Sequence, residues 1–92
     1  MNLRELEQYK QENPAAVVLD VRSVADYQAS HLAGAYHIPL SELPERMAEL
    51  EKEQTILVYC NRGNTSRKAV DCLLAAGFQQ VYNLDGGLQG QV

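Results

Sequence analysis

A single cysteine set between an apolar run and a polar, glycine-containing loop is the residue of this chain best placed to do chemistry. In the segment ILVYCNRGNTSR, Ile56 to Arg67, the apolar run Ile56-Leu57-Val58-Tyr59 ends at Cys60, and Asn61, Arg62, Gly63, Asn64 and Thr65 follow. Ser66 comes next, and Arg67, Lys68, Ala69, Val70, Leu73 and Leu74 then continue with helical spacing. The pattern predicts a buried strand, a tight loop and a helix N-terminus, with Ser66 as the N-cap. Loop amides and the unpaired N–H groups of a helix start together make an anion cradle. A thiol facing that cradle has a lowered pKa and is present largely as thiolate, the nucleophilic form. Gly63 gives the loop a residue that accepts positive φ. Free cysteine is more commonly a small buried hydrophobe; the position of Cys60, after a strand and before such a loop, favours the reactive reading.

The neighbours supply charge and hydrogen bonds. Arg62 and Arg67 flank the loop, where positive charge attracts an anionic donor and supports a thiolate. Lys68 reads as a solvated residue of the outer helix face. Thr65 and Ser66 carry hydroxyls that donate to a bound anion or to the sulfur. Asp20 and Arg22, at the end of another apolar run, are candidate supports for the loop, with Asp20 placed to accept from loop amides or to pair with Arg22 or Arg62. Asp20, inside a strand, is expected to be structural and hydrogen-bonded rather than a proton carrier. Arg22 and Asp26 have the spacing of a local ion pair. His31 reads as a turn-stabilising residue rather than a base for Cys60, and Cys72 as a packing residue on a helix. The five tyrosines read as core or half-buried. His31 and His37 do not combine with the cysteines in a zinc-ligand spacing, so no metal site is expected.

These residues need elements to hold them. Leu3, Leu6 and Tyr9 mark a short amphipathic helix from residue 3 to about 11, ended by Asn13-Pro14. Ala16 to Val21 is a continuous apolar run with one acid, which suits a strand covered on both faces. Ser23 and Asp26 resemble a capping box for a helix over Val24 to Ala29. Ala35 to Ile38 and Val81 to Leu84 are further short strands. Ser41 to about Leu50 reads as a helix that tolerates Pro44 only in its first turn. The helix after the loop runs from Ser66 to Ala76 and stops at Gly77. Alternating strand and helix predicts an α/β layered fold with a mainly parallel sheet. Ligands in such folds bind beyond the carboxyl ends of strands, where Cys60 lies.

At 92 residues the chain makes one small domain, residues 1–92, and 46% hydrophobic content is enough for a core. A net charge of −4 argues against nucleic-acid binding. No apolar run is long enough to span a bilayer, and the opening residues carry no secretory pattern, so no membrane and a cytoplasmic setting are expected.

The ordered set of motifs resembles the rhodanese family, specifically its single-domain sulfurtransferases. It comprises LDVR at Leu19 to Arg22, Asp26-Tyr27, HLAGAYHIP at His31 to Pro39, the loop CNRGNTS at Cys60 to Ser66, and YNLDGG at Tyr82 to Gly87. The resemblance implies a rhodanese-like α/β/α sandwich with Cys60 as the sulfur-carrying nucleophile. It also implies that the backbone N–H groups of Asn61 to Ser66 cradle a persulfide. Two features depart from the family pattern. Many members place Arg before the loop's Ser, where this chain has Thr65, with an arginine earlier at Arg62; this bears on donor preference, not on thiol chemistry. The family also continues past Gly-Gly with a Trp-containing helix, so a C-terminal helix is expected to be truncated or absent here.

The implied function is transfer of a sulfane sulfur from a small anionic donor such as thiosulfate to a thiol, cyanide or a protein acceptor, through a Cys60 persulfide and without a cofactor. A sulfur-relay or regulatory module of a larger protein is the alternative. A cysteine phosphatase or arsenate reductase on the same fold needs Cys-x5-Arg; here that position is Ser66, and Arg67 comes one residue late.

Overall fold

A computed structural model describes residues 1–91. Its four strands are β1 (Val17–Asp20), β2 (Tyr36–His37), β3 (Thr55–Tyr59) and β4 (Gln80–Asn83). All pair in parallel, in the order β2-β1-β3-β4. The chain leaves β1 toward one edge of the sheet and leaves β3 toward the other, so a topological switch point lies between these two central strands. Their carboxyl ends are level, Asp20 opposite Tyr59, which sets Arg22 and Cys60 side by side just beyond them.

The continuous apolar runs of β1 and β3 follow from burial on both faces. Leu19, Val21, Ile56, Val58 and Cys60 share one core with Ala69, Val70, Leu73 and Phe78. Val18, Leu57 and Tyr59 point the other way, into a second core with Leu6 and Leu84. The first core is covered by α4 (Asn64–Ala75) and the second by α1 (Leu3–Glu12). Asn2 starts α1 with a reciprocal capping box to Glu5, and Leu6 is its one fully buried residue. α2 (Val24–Ala29) begins at Ser23, whose Oγ accepts from the Asp26 amide at 3.2 Å.

Two helices differ from expectation. The segment expected as one helix over 41–50 is a 3-10 turn (Leu40–Glu42), a single α turn α3 (Leu43–Arg46) and a second 3-10 turn (Met47–Glu49). Pro44 falls in the first turn of α3 and blocks its extension backward. The helix after the loop starts at Asn64, not Ser66, because Gly63 occupies the N-cap position with φ +93°. At its other end Phe78 N donates to Leu73 O and Gly77 N to Leu74 O, both at 3.1 Å, a Schellman closure on Gly77. Tyr36 and Tyr82 are exposed rather than half-buried. Beyond Gly86-Gly87 the described residues form a short 3-10 turn, Leu88–Gly90.

Beneath the switch point lies a buried polar knot. Asp20 is fully buried and Arg22 is 7% exposed. Arg22 Nε lies 3.1 Å from both Asp20 oxygens, and Nη2 donates to Oδ2 at 2.8 Å. Tyr59 Oη donates to Asp20 Oδ2 at 2.6 Å and accepts from Leu32 N at 3.1 Å. Burial raises the Asp20 carboxyl, but hydrogen bonds from Arg22 and Tyr59 outweigh it and leave the pKa below 3.8. Burial, with the Asp20 bond, pushes the Tyr59 phenol up.

Asp20→Asn, which strands the Arg22 guanidinium, is expected to cost about 3–5 kcal/mol. Tyr59→Phe, which removes one donor to the carboxylate and the acceptor of Leu32 N, is expected to cost roughly 2 kcal/mol. Urea unfolding at neutral pH checks the order of the two. Asp20 is depressed in the folded state, so its contribution is complete above its unfolded value near 3.8 and lost as pH falls through the lower folded value. Asp20→Asn should therefore flatten the acid limb of the stability profile.

Candidate active site

The Cys60 side chain is 3% exposed and forms the floor of a pocket of about 370 Å³ that Arg22, Asp26, Asn61, Arg62, Thr65 and Gln89 help to line. Its sulfur is encircled by hydrogen-bond partners. Gly63 N donates to Sγ at 3.0 Å and Ser66 N at 3.3 Å, and Ser66 Oγ accepts from Sγ at 3.2 Å. Burial pushes the thiol up. Hydrogen bonding to Ser66 Oγ and to the amides of Ser66, Gly63 and Arg62 more than offsets it, so the pKa lies below the ordinary 9.0.

The first two peptide groups of the loop that carries these donors are tied outward. Leu88 N donates to Cys60 O at 2.9 Å, and Gln89 N to Asn61 O at 2.8 Å. In a trans peptide the C=O and the next N–H are antiparallel. Fixing the carbonyls of Cys60 and Asn61 on the C-terminal turn therefore turns the amides of Asn61 and Arg62 toward the cradle. The approach is close enough to exclude any side chain at Gly87: a Cβ there would lie 2.4 Å from Asn61 C and O. Gly87 also has φ +66°, in the region that favours glycine. Gly63 faces the same turn, with the position of its missing Cβ 3.2 Å from Gly86 N.

The sequence-predicted residues separate into those brought together and those left outside. Asn61, Gly63 and Ser66 surround the sulfur or brace its loop, and Asn64 and Thr65 line the pocket. Ser66 is the third residue of α4, fully buried, and serves the sulfur instead of capping the helix; its Oγ also donates to Gly63 O at 3.2 Å. Arg22 does not pair with Asp26. It pairs with Asp20 and reaches the loop through Nη1, which donates to Asn61 Oδ1 at 3.2 Å. Asp26 instead accepts from Asn61 Nδ2 at 3.0 Å, so the Asn61 amide is held at both ends. Arg62 is exposed at the pocket wall, its Nε 3.3 Å from Gln89 Oε1. Arg67 is exposed on α4 and does not line the pocket, because the helical turn carries it away from the sulfur. His31 Nδ1 donates to Tyr27 O at 2.9 Å and its ring stacks on Tyr27, as a turn residue does. Cys72 is half-buried against the first core.

Sequence reasoning missed Leu88 and Gln89 as braces of the loop, since they act through backbone amides. The only signal was the Gly86-Gly87 pair after an apolar strand. Among the described residues no three His, Cys, Asp or Glu side chains are grouped to hold a metal ion. No helix among them is long and apolar enough to cross a membrane.

The parallel α/β sheet places one cysteine at its switch point, with the Gly63 and Ser66 amides on its sulfur. The chain belongs to the rhodanese-like family, whose domain model matches residues 2–91. It is 34% identical over 77 residues to the thiosulfate sulfurtransferase GlpE of Tolumonas auensis, covering 84% of this chain and 73% of that one. A rhodanese-related protein from Thermoplasma volcanium superposes with a TM-score of 0.85 at 32% identity, over 97% of this chain and 85% of the other. The reduced CoADR-RHD of Bacillus anthracis matches with a TM-score of 0.88 at 26% identity, over 97% of this chain but 15% of that longer one.

The brace makes a prediction about the thiol. Leu88→Pro removes the amide that holds Cys60 O, whereas Leu88→Ala loses packing and keeps the amide. The pH profile of Cys60 alkylation should have its midpoint below 9.0 in the native chain. Leu88→Pro should move that midpoint upward and cut the alkylation rate at neutral pH about tenfold, with Leu88→Ala close to the native profile. Gly87→Ala should shift it in the same direction as Leu88→Pro and lower stability as well.

Proposed function

We propose that this protein is a thiosulfate sulfurtransferase that carries the transferred sulfur as a persulfide on Cys60. The observation that carries this reading is the set of backbone amides on the Cys60 sulfur, from Gly63, Ser66 and Arg62. The cradle favours a thiolate over a thiol. The thiolate attacks the outer sulfur of the donor, a new S–S bond forms, and the old S–S bond of thiosulfate breaks with its electron pair leaving on sulfite. An acceptor thiolate or cyanide then attacks the outer sulfur of the persulfide, and the electron pair returns to Cys60 Sγ. The same amides that lower the thiol pKa make Cys60 a good leaving group in this second step. The similarity to GlpE supports thiosulfate as donor. Cys60 and Cys72 are both free, which accords with a cytoplasmic setting that keeps thiols reduced.

A role as a sulfur-relay module draws support from the match to a much longer chain, and it uses the same persulfide with a protein acceptor. A phosphatase or arsenate reductase reading lacks its arginine. The sixth position after Cys60 is the buried Ser66, and Arg67 lies outside the pocket.

Mass spectrometry after incubation with thiosulfate should show one added sulfur on the peptide bearing Cys60, removed by cyanide. Cys60→Ser should show none and lose at least ~10³-fold in turnover, the residue being the proposed nucleophile. A Cys72→Ser variant that loses the adduct would overturn the assignment to Cys60.

A further inference from the structure

The walls above Cys60 carry one side chain of each sign that is left without an ionic partner. Two guanidinium groups line the pocket, Arg22 and Arg62. The charge of Arg22 is met by the buried Asp20 carboxylate at 2.8 Å, which does not line the pocket. Arg62 is met only by the neutral amide of Gln89, at 3.3 Å. The one lining carboxylate, Asp26, is met only by the neutral amide of Asn61, at 3.0 Å. No salt bridge among the described residues involves Arg62 or Asp26. Arg67 and Lys68 are exposed on α4 and do not line the pocket. The mouth is therefore charge-balanced, with a cation on the loop side and an anion on the α2 side. A wall shaped for a dianion alone would not keep an uncompensated carboxylate.

We infer that Asp26 and Arg62 select a small thiol bearing both an ammonium and a carboxylate, as acceptor of the Cys60 sulfur. Asp26 meets the ammonium and Arg62 the carboxylate, with the thiolate directed down to the floor. The inference rests on the persulfide reading above. In the step it describes, the acceptor thiolate attacks the outer sulfur of the Cys60 persulfide and forms a new S–S bond. The bond between that sulfur and Sγ breaks, its electron pair stays on Sγ, and the proton of the persulfide leaves with the product. No oxidant or reductant is consumed. Asn61 takes part as a positioning residue: Arg22 holds its oxygen and Asp26 its nitrogen, which ties the acidic wall to the sulfur loop. The same Asp26 charge opposes entry of thiosulfate, so one residue acts with opposite sign on the two half-reactions.

The test loads the enzyme with thiosulfate, removes the excess, and follows loss of the persulfide to four thiols at equal thiolate concentration. Cysteine carries both charges, cysteamine the cation, 3-mercaptopropionate the anion, and 2-mercaptoethanol neither. Each exposed pairing is worth about threefold, so cysteine should outrun 2-mercaptoethanol by about tenfold, with the singly charged thiols between. Asp26→Asn keeps an acceptor for Asn61; it should lower cysteine to the rate of 3-mercaptopropionate and speed loading by thiosulfate about threefold. Arg62→Gln should lower cysteine to the rate of cysteamine and slow loading. Equal rates for all four thiols, or a cysteine preference unchanged in both variants, would overturn the inference while leaving the persulfide reading intact. Failure of thiosulfate to load Cys60 at all would overturn both.

Discussion

Everything at this site depends on the direction of a few peptide groups. The Gly63 and Ser66 amides meet the Cys60 sulfur, and the start of their loop is braced where the carbonyls of Cys60 and Asn61 are pulled the other way, by Leu88 N at 2.9 Å and Gln89 N at 2.8 Å. A buried thiol with no such donors has its pKa raised, and the opposite outcome here is a contest the hydrogen bonds win over desolvation. The arrangement is fixed before any substrate arrives, so its stabilisation of charge requires no reorganisation during the reaction. The cost falls on the backbone. Gly63 and Gly87 both take positive φ, and Gly87 sits against Asn61 where no Cβ fits.

The second constraint is the knot beneath the loop. A carboxylate and a guanidinium taken out of water are costly unless hydrogen bonds account for their polar atoms. Asp20 receives four donors, from the Arg22 backbone, the Arg22 side chain at two nitrogens, and Tyr59. Arg22 spends its remaining capacity on Ser30 O at 2.6 Å and Asn61 Oδ1 at 3.2 Å. The knot ties β1, β3, the chain after α2 and the sulfur loop to one point. It also removes the Arg22 charge from the electrostatics of the pocket, which leaves Arg62 and Asp26 to define the mouth.

The sheet order makes these two devices meet. Because connections leave β1 and β3 in opposite directions, a crevice opens between their carboxyl ends, the usual place for a ligand in an open parallel sheet. Cys60 ends one strand and Arg22 follows the other. The turn after β4 then folds back across the loop, and the match of the rhodanese-like family model to residues 2–91 takes in that turn as well as the loop.

The amino-acid sequence by itself determined the four strands, the cysteine at the end of β3 and the loop around it. Apolar runs of strand length, a helical repeat and a cysteine at their junction are local signals, and local physics suffices to read them. It also placed Asp20 as a structural acid, since a carboxylate inside an apolar run must find donors. It misplaced the start of α4, because Ser66 has the chemistry of a cap while Gly63 has the φ the turn requires. It offered Arg22 both Asp20 and Asp26 as partners, and the buried Asp20 is the one it takes, as a bidentate pair. It treated Arg67 as a flank of the site, and the helix turned it outward. The brace by Leu88 and Gln89, and the opposed charges of Asp26 and Arg62 over one pocket, were decided only by tertiary structure. Such features are made by backbone amides and by residues distant in the chain; the brace leaves only the Gly86-Gly87 pair as its mark in the sequence, and the opposed charges leave none.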